Sequence, residues 1–288
     1  MGAKDHAMKI AIQGEPGAFS HEAALKLVPG AEILPCALSA EVFAALDTGA
    51  ADAATIPIEN SLAGSVLEHF DLLLGHEVKV VRETLVRIRH NLIALPGAAL
   101  GQIDCVYSHP VALAQCRRFL AAHPRMKAIG FYDTAGSVKQ LMELREPGVA
   151  AIASEAAAIH YGAEILARGI EDDPENYTRF FLVYRAAEAQ TDPEANKMSL
   201  AFTLENRPGS LVAALSALSA IGTNLTKIES RPVQGKPWEY IFYVDCQIGS
   251  SAEGARALDA LHAYCGMVKE LGRYREARDA QTPHHGSL

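Results

Sequence analysis

The chain has 288 residues, 49% of them hydrophobic, and a formal net charge of -8. That length suits one large domain or two ordinary ones, with ample apolar material for a core. An acidic balance without a long basic block argues against non-specific binding to nucleic acid or to an anionic membrane, so an anionic substrate has to be drawn in by a local cationic pocket.

The start, MGAKDHAMKIAIQG, has no apolar signal region, and no stretch of the sequence is long and apolar enough to span a membrane; a cytoplasmic location is expected. Cys36, Cys105, Cys116, Cys246 and Cys265 are odd in number and scattered, with no CxxC pair. Free thiols fit that pattern and a zinc site does not. The ends MGAKDHA and HHGSL are given no function.

Along the chain, MKIAIQ reads as a strand, followed by the turn GEPGAFS and a helix over HEAALKLV. EILPC is strand-like, SAEVFAALDTG helical and DAATIPIEN strand-like. SVLEHFDLLLG reads as a helix and EVKVVRETLVRIRHNLIAL as one long extended run. CVYSHP is a strand and VALAQCRRFLAAHP a helix. KAIGFY with TAGSVKQLMEL, and VAAIAS with SEAAAIHYGA, repeat the pair. FFLVY, aromatic and β-branched, reads as a buried strand. Strands alternating with helices of this length imply an α/β architecture with mostly parallel sheets.

The texture changes at Arg185. Residues 186–197 are polar, carry Pro193 and read as a linker between a domain over 8–185 and a second over 198–278. In the second, MSLAFTLEN alternates, with Met198, Leu200, Phe202 and Leu204 on one face. Pro208 and Gly209 make a turn, SLVAALSALSAIG is a helix, and NLTKIESRPV and WEYIFYVDCQI are strands around the turn QGK. SAEGARALDALHAYC is a helix and MVKELGRY a last strand. The order βαββαβ is the ferredoxin-like motif.

Small polar residues gather where helices follow strands: Gly14 to Ser20, Glu59-Asn60-Ser61, Ser108-His109-Pro110, Asp133-Thr134 and Ser154-Glu155. Unpaired N–H groups and a partial positive charge at helix starts can bind carboxylates or phosphates. Capping alone explains any one of them, with Thr134 and Ser154 good candidates for the cap. It explains less well why IPIENS and YSHP place several polar groups at strand ends, where open α/β sheets bind ligands. GEPG lacks both the GK[ST] ending of a P-loop and the GxGxxG spacing. No GxSxG elbow is present, and Ser108 and His109 are adjacent, unlike a triad. His109 is a base, a substrate contact or a structural histidine; Glu59 is a catalytic acid or a carboxylate holding a loop. In ENYTRFF, Thr178 and Arg179 form either a capped turn with a salt bridge or a hydroxyl donor beside a carboxylate-binding guanidinium.

Asn176 to Phe180, NYTRF, resembles the signature of prephenate dehydratases, and GEPGAFS, PIENS, YSHPVALAQC and ESRP resemble that family's segments in the same order. The resemblance runs from Met8 to about Arg275. Glu15 and Ala18 depart from the family's usual Pro and Thr, which removes any role for a hydroxyl at position 18, and Ser210 stands where Ala is common. The resemblance implies a two-lobed catalytic domain like type II periplasmic binding proteins, with the site between lobes, and a tail that is an ACT regulatory domain. It implies decarboxylative dehydration of prephenate to phenylpyruvate, with no metal, nucleotide or redox cofactor required. Arogenate dehydratase is the rival within the enzyme class. A non-catalytic two-lobed binding protein with an amino-acid-sensing tail is the rival outside it, and the intact Thr-Arg-Phe argues against that one.

On this reading Thr178 donates to the departing hydroxyl, Arg179 binds a substrate carboxylate and Glu59 is the other candidate acid. Asn60, Ser61, Ser108, His109, Gln115, Thr134, Asn176 and Phe180 are the implied substrate residues. The implied effector site, for L-phenylalanine, takes Asn206, Pro208, Gly209, Ser210, Leu211 and Val212 from one segment and Asn224, Leu225, Glu229, Ser230, Arg231 and Pro232 from another. Since ACT domains usually pair, a homodimer or homotetramer is expected.

Overall fold

The structure is a computed structural model that describes residues 7–233 and 239–277; the QGK turn and nearly all of the two ends given no function lie outside them. β1 (Lys9–Gln13) leads through GEPG to α1 (Phe19–Leu27), then β2 (Glu32–Cys36), α2 (Ser39–Asp47), β3 (Ala53–Asn60), the short β4 (Gly64–Ser65), α3 (Leu67–Gly75), β5 (Val78–Arg87) and β6 (Asn91–Ala94). After a 3-10 turn at Leu100–Gln102 come β7 (Cys105–Ser108), α4 (Pro110–Ala114), α5 (Arg117–Ala122), β8 (Lys127–Gly130), α6 (Thr134–Leu144), β9 (Val149–Ala153), α7 (Glu155–Tyr161), β10 (Glu164–Ala167) and β11 (Tyr177–Arg185). The tail contains β12 (Lys197–Leu204), α8 (Ser210–Ala220), β13 (Asn224–Pro232), β14 (Tyr240–Gln247), α9 (Ser251–His262) and β15 (Met267–Tyr274).

Three local departures from the sequence pattern have physical causes. The extended run over Glu77–Leu95 is two strands, because the chain leaves the ladder at Ile88–His90, where the N–H of Ile88 turns to the carbonyl of Asn176 at 2.7 Å. The helix expected from Val111 onward is two short ones. Asp172 takes over at the break: its N–H donates to the Gln115 carbonyl at 2.6 Å, and its carboxylate accepts the N–H groups of Arg117 and Arg118 at 3.1 and 2.9 Å, capping α5 from a distance. Asp133, not Thr134, caps α6, its carboxylate accepting the Gly136 N–H at 2.7 Å, whereas Ser154 caps α7 as its type suggests.

The contacts divide the chain into two compact units: the chain up to Leu67 with Leu85–Phe180, and Glu68–Thr84 with everything from Phe181 on. In the first unit one sheet has the order β11-β3-β1-β2, with β4 hanging on β3. β1 runs parallel to both β2 and β3, and Ile10, Ala11, Ile12, Ala53, Ala54 and Ile56 are wholly buried. Such uninterrupted apolar runs belong to parallel strands covered on both faces. The other sheet has the order β10-β6-β9-β7-β8. Here β7 is parallel to β8 and β9, while β6 is antiparallel to β9 and β10, so this sheet is mixed and not mostly parallel.

The GEPG turn, part of the first lobe by sequence, docks onto the helices of the second. Gly17 has φ +89°, and a Cβ there would lie 2.5 Å from the Cα of Ala157. Ser154 Oγ donates to the Gly17 carbonyl at 2.6 Å, and Ala18 is buried with Ala135, Val138, Ala153 and Ala157. An alanine at position 18 fits this apolar setting, in which a hydroxyl would need a partner.

The second unit contains the βαββαβ order as an antiparallel sheet, β13-β14-β12-β15, which is ferredoxin-like. Met198, Leu200, Phe202 and Leu204 pack with Ala214 and Leu218 of α8 and Ala257 and Leu261 of α9. α3 joins this unit: Phe70 packs on Tyr243 with ring centroids 4.9 Å apart. Lys197 opens β12 with its ammonium 3.1 Å from Glu83, and both side chains are almost wholly buried. Glu83 also accepts the N–H of Ala277 at 2.9 Å.

Two stability measurements check these contacts. Gly17→Ala adds left-handed backbone strain to a backbone clash, and chemical denaturation should show a loss on the order of 3 kcal/mol; a loss near zero would mean the turn is not seated on Ala157. Lys197→Met leaves Glu83 buried without this cation and should cost about 3–5 kcal/mol, the usual effect of breaking a buried pair from one side. A neutral result would place Glu83 in contact with water.

Candidate active site

The residues of PIENS, YSHPVALAQC and NYTRF meet in the first unit, where β3 ends beside β11. The Asn60 carboxamide organises them. Its Oδ1 accepts the backbone N–H groups of Leu62 and Ala63 at 3.1 and 2.8 Å, so its Nδ2 points the other way. Nδ2 donates to Thr178 Oγ1 at 2.9 Å, to Asn176 Oδ1 at 2.7 Å and towards the Tyr177 carbonyl at 3.1 Å. Asn176 in turn donates from Nδ2 to Gln115 Oε1 at 2.9 Å, and His90 Nε2 lies 2.9 Å from that same oxygen. Asn176 is completely buried and Thr178 nearly so. Burial holds the His90 imidazole below its ordinary pKa, with opposing pulls from Gln115 and Glu171.

Adjacent residues on a strand face opposite ways. Asn60 and Thr178 meet on one face of the sheet. Glu59 and Arg179, their chain neighbours, meet as a second pair, with Arg179 Nη2 3.7 Å from Glu59 Oε2. The Arg179 side chain is 10% exposed and that of Glu59 35%. Thr178 and Arg179 therefore face opposite ways, although NYTRF sets them side by side in sequence.

The other residues expected at the site occupy distinct places. Ser61 ties β3 to the NYTRF segment, donating to the Glu175 carbonyl and accepting the Tyr177 N–H, each at 3.0 Å. Ser108 is fully buried and donates to the Ile152 carbonyl at 2.6 Å, fastening β7 to β9. His109 caps α4, its Nδ1 accepting the Val111 N–H at 3.3 Å. Thr134 is the first residue of α6 and half-buried. Phe180 belongs to the core with Ala23, Val86 and Ile88, so it offers no open face to a substrate. His90 was missed, because RIRHNL reads as the interior of a strand; its one signal is a lone histidine between two apolar runs. Asp133 was missed as more than a cap neighbour: it is half-buried, and desolvation raises its pKa against the pull of two backbone N–H groups.

In the second unit, Leu204, Glu205, Asn206, Arg207, Ser210, Leu211, Tyr240 and Phe242 line a cavity of about 100 Å³. Ser210 Oγ is buried there without a hydrogen-bond partner among the described residues. Gly209 precedes α8 at φ +85°, Pro208 is exposed, and Val212 is largely exposed. Asn224 binds Gln247 at 2.9 Å, and Leu225 packs on the core. β13 alternates: Ser230 and Pro232 are exposed, paired in register with the cavity residues Phe242 and Tyr240. Glu229 and Arg231 are less exposed, and Arg231 is ion-paired with Asp71 of α3, its Nε 3.3 Å from Asp71 Oδ1. Arg231 thus points to α3.

All five cysteines are free thiols, and no helix among the described residues is long and apolar enough to cross a membrane.

The chain is 36% identical to "Arogenate dehydratase/prephenate dehydratase 1, chloroplastic" of Arabidopsis thaliana over 94% of its own length and 72% of that protein's. Among solved structures, it is similar to the prephenate dehydratase of Arthrobacter aurescens in complex with L-Phe, with TM-score 0.85 and 33% identity over 93% of this chain and 90% of that one. It is also similar to GqqA, described as a novel type of quorum quenching acylase, with TM-score 0.84 and 35% identity over 93% of this chain and 97% of that one. The sequence model for prephenate dehydratase matches residues 10–188, which contain every segment that builds the Asn60–Thr178 site, and the chain belongs to the prephenate dehydratase family, whose members are carbon–oxygen lyases.

Proposed function

We propose that the chain converts prephenate to phenylpyruvate, with Thr178 assisting departure of the ring hydroxyl. The observation that carries this reading is the hydrogen bond from Asn60 Nδ2 to Thr178 Oγ1 at 2.9 Å. A hydroxyl that accepts one hydrogen bond is polarised to donate its own proton. Hydroxide is a poor leaving group, and a donor beside it lowers the barrier as the C–O bond breaks. The carboxylate carbon leaves as carbon dioxide, its bonding electrons enter the ring, and the ring oxygen leaves as hydroxide, which takes up a proton from solvent to become water. Aromatisation supplies the driving force. A threonine is a weak acid, so it acts by hydrogen-bonding the oxygen as negative charge develops there.

Arg179, near the start of β11, is proposed to meet a substrate carboxylate, with Glu59 fixing the guanidinium. At 3.7 Å this contact is a loose ion pair, longer than a closed bidentate fork. Asn60, Gln115 and Asn176 position the hydroxyl, and His109 and Thr134 remain proposed substrate contacts. The buried Ser108 and Phe180 are assigned to packing. Arogenate carries an amino group in place of the side-chain keto group, and the name of the Arabidopsis relative covers both activities. The acylase description of GqqA is a different chemistry; here Ser108 is buried on Ile152 and His109 caps a helix, an arrangement unlike a nucleophile with its base.

The second unit is proposed to be an ACT sensor that binds L-phenylalanine and lowers activity, probed by its cavity beside Ser210 and by Ser230 across from Phe242. The Arthrobacter aurescens relative in complex with L-Phe supports this class of effector. An effector acts only if it binds two states differently. The Arg231–Asp71 ion pair offers a route, because Asp71 lies on α3, the helix that follows the Asn60 loop along the chain. Cutting the chain near residue 190 is a poor test, since Phe70 and Asp71 would lose Tyr243 and Arg231. Pairing into a homodimer or homotetramer is part of the same proposal.

Incubation with prephenate should yield phenylpyruvate; turnover of arogenate alone, or of an N-acyl substrate alone, would replace the reading. Thr178→Ala should lower kcat by roughly 10²–10⁴ while Thr178→Ser keeps much of it; near-normal kcat in the alanine variant would pass the role to Glu59. Arg179→Lys retains charge but loses the fork, so KM for prephenate should rise. An unchanged KM with a lowered melting temperature would make the arginine structural. Ser230→Arg should weaken phenylalanine inhibition at least ~10-fold at unchanged basal rate, the loss of about 1.4 kcal/mol of binding; inhibition in the same concentration range would move the effector to another site.

A further inference from the structure

We propose that His90 is a positioning residue for Thr178: its Nε2–H closes the far end of the amide chain that runs through Gln115, Asn176 and Asn60 to the threonine hydroxyl. The inference rests on the dehydratase reading of that hydroxyl.

Polarity enters the chain at Asn60. The backbone N–H groups of Leu62 and Ala63 claim its Oδ1, which turns Nδ2 toward Thr178 and Asn176. Asn176 must then present Oδ1 to Asn60 and Nδ2 to Gln115, at 2.7 and 2.9 Å. Gln115 presents Oε1 to Asn176, and its Nε2 lies 3.5 Å from Asn60 Oδ1. That leaves His90 Nε2, 2.9 Å from Gln115 Oε1, as the donor. An imidazole has two tautomers, and only the Nε2–H form serves here. Its Nδ1 is buried without a hydrogen-bond partner among the described residues, so a proton there would have no acceptor. Burial favours the neutral ring in the same sense.

The ring is held on other sides. The His90 N–H donates to Glu171 Oε2 at 2.9 Å, its carbonyl accepts the Ile170 N–H at 2.9 Å, and Phe19 meets the imidazole edge-on with centroids 5.8 Å apart. His90 is thus a fixed donor. Without it, Gln115 can rotate its amide and Asn176 can follow, which sets an N–H against Asn60 Nδ2 and displaces the carboxamide that donates to Thr178.

The test uses the full chain with prephenate as substrate. His90→Leu keeps comparable bulk without a donor, and His90→Gln offers an N–H at a similar reach. Loss of a partner that orients a site residue typically costs 10–100-fold, so kcat should fall by about that factor in His90→Leu, with KM little changed, and recover largely in His90→Gln. In a Thr178→Ala background, His90→Leu should cause almost no further loss, because its effect passes through the hydroxyl. Nitrogen NMR of the wild type should show the neutral Nε2–H tautomer, a readout independent of whether the leucine variant folds. An Nδ1–H tautomer, an unchanged kcat in a folded His90→Leu, a glutamine variant as slow as the leucine one, or losses that multiply with Thr178→Ala would each overturn the inference while leaving the dehydratase reading intact. A wild type that leaves prephenate unchanged would remove both.

Discussion

The orientation of one carboxamide, that of Asn60, sets the candidate site. Two backbone N–H groups hold its oxygen, so its nitrogen has to face β11, and the Thr178 hydroxyl receives a hydrogen bond on a defined side. An amide turned over would set oxygen against Asn176 Oδ1 and leave both acceptors without a donor. Buried polar networks carry high stakes in this way: complete, they specify one arrangement, and broken, they cost the desolvation of each orphaned group. Asn60 itself is half-buried, but its partners Asn176 and Thr178 are buried, so at that end of the network water has little room to offer an alternative partner.

Strand geometry then separates two jobs that the sequence places side by side. Thr178 goes with Asn60, and Arg179 goes with Glu59. The hydroxyl sits in a chain of neutral amides and an imidazole held below its ordinary pKa, while the guanidinium is balanced by a carboxylate of its own. A proton donor benefits from neutral, directional neighbours. A cation proposed to bind a substrate carboxylate has to be held in place without being neutralised by a close fork, and the Glu59 contact at 3.7 Å is longer than such a fork.

Much of this was legible in the sequence because period and turn chemistry are local. The alternation of Met198, Leu200, Phe202 and Leu204 marked the face that packs on α8 and α9, and the βαββαβ order followed from it. Asn60 was recognisable as a polar group at a strand end and Thr178 as one at the mouth of a core strand, while Gln115, inside an expected helix, and Asn176 entered with the family resemblance. What was not legible depends on distant partners. Asp172 splits one helix into two from far along the chain, and the packing of α3 on Tyr243 carries Glu68–Thr84 into the second unit, where no change of composition marks it. Ser108 and Phe180 look like site residues in their motifs, yet the Ile152 carbonyl engages one and a core cluster the other. The direction of the amide chain, and with it the place of His90, requires knowing which acceptor each N–H meets.

The most direct test of the account is kcat for prephenate in Asn60→Asp. Aspartate has nearly the same shape and can still accept the N–H groups of Leu62 and Ala63, but it turns a second acceptor toward Asn176 and Thr178. If the Asn60 N–H polarises the threonine hydroxyl, a folded Asn60→Asp chain should lose roughly 10²–10³-fold in kcat, comparable to losing a preorganised donor. A folded variant with wild-type kcat would contradict it.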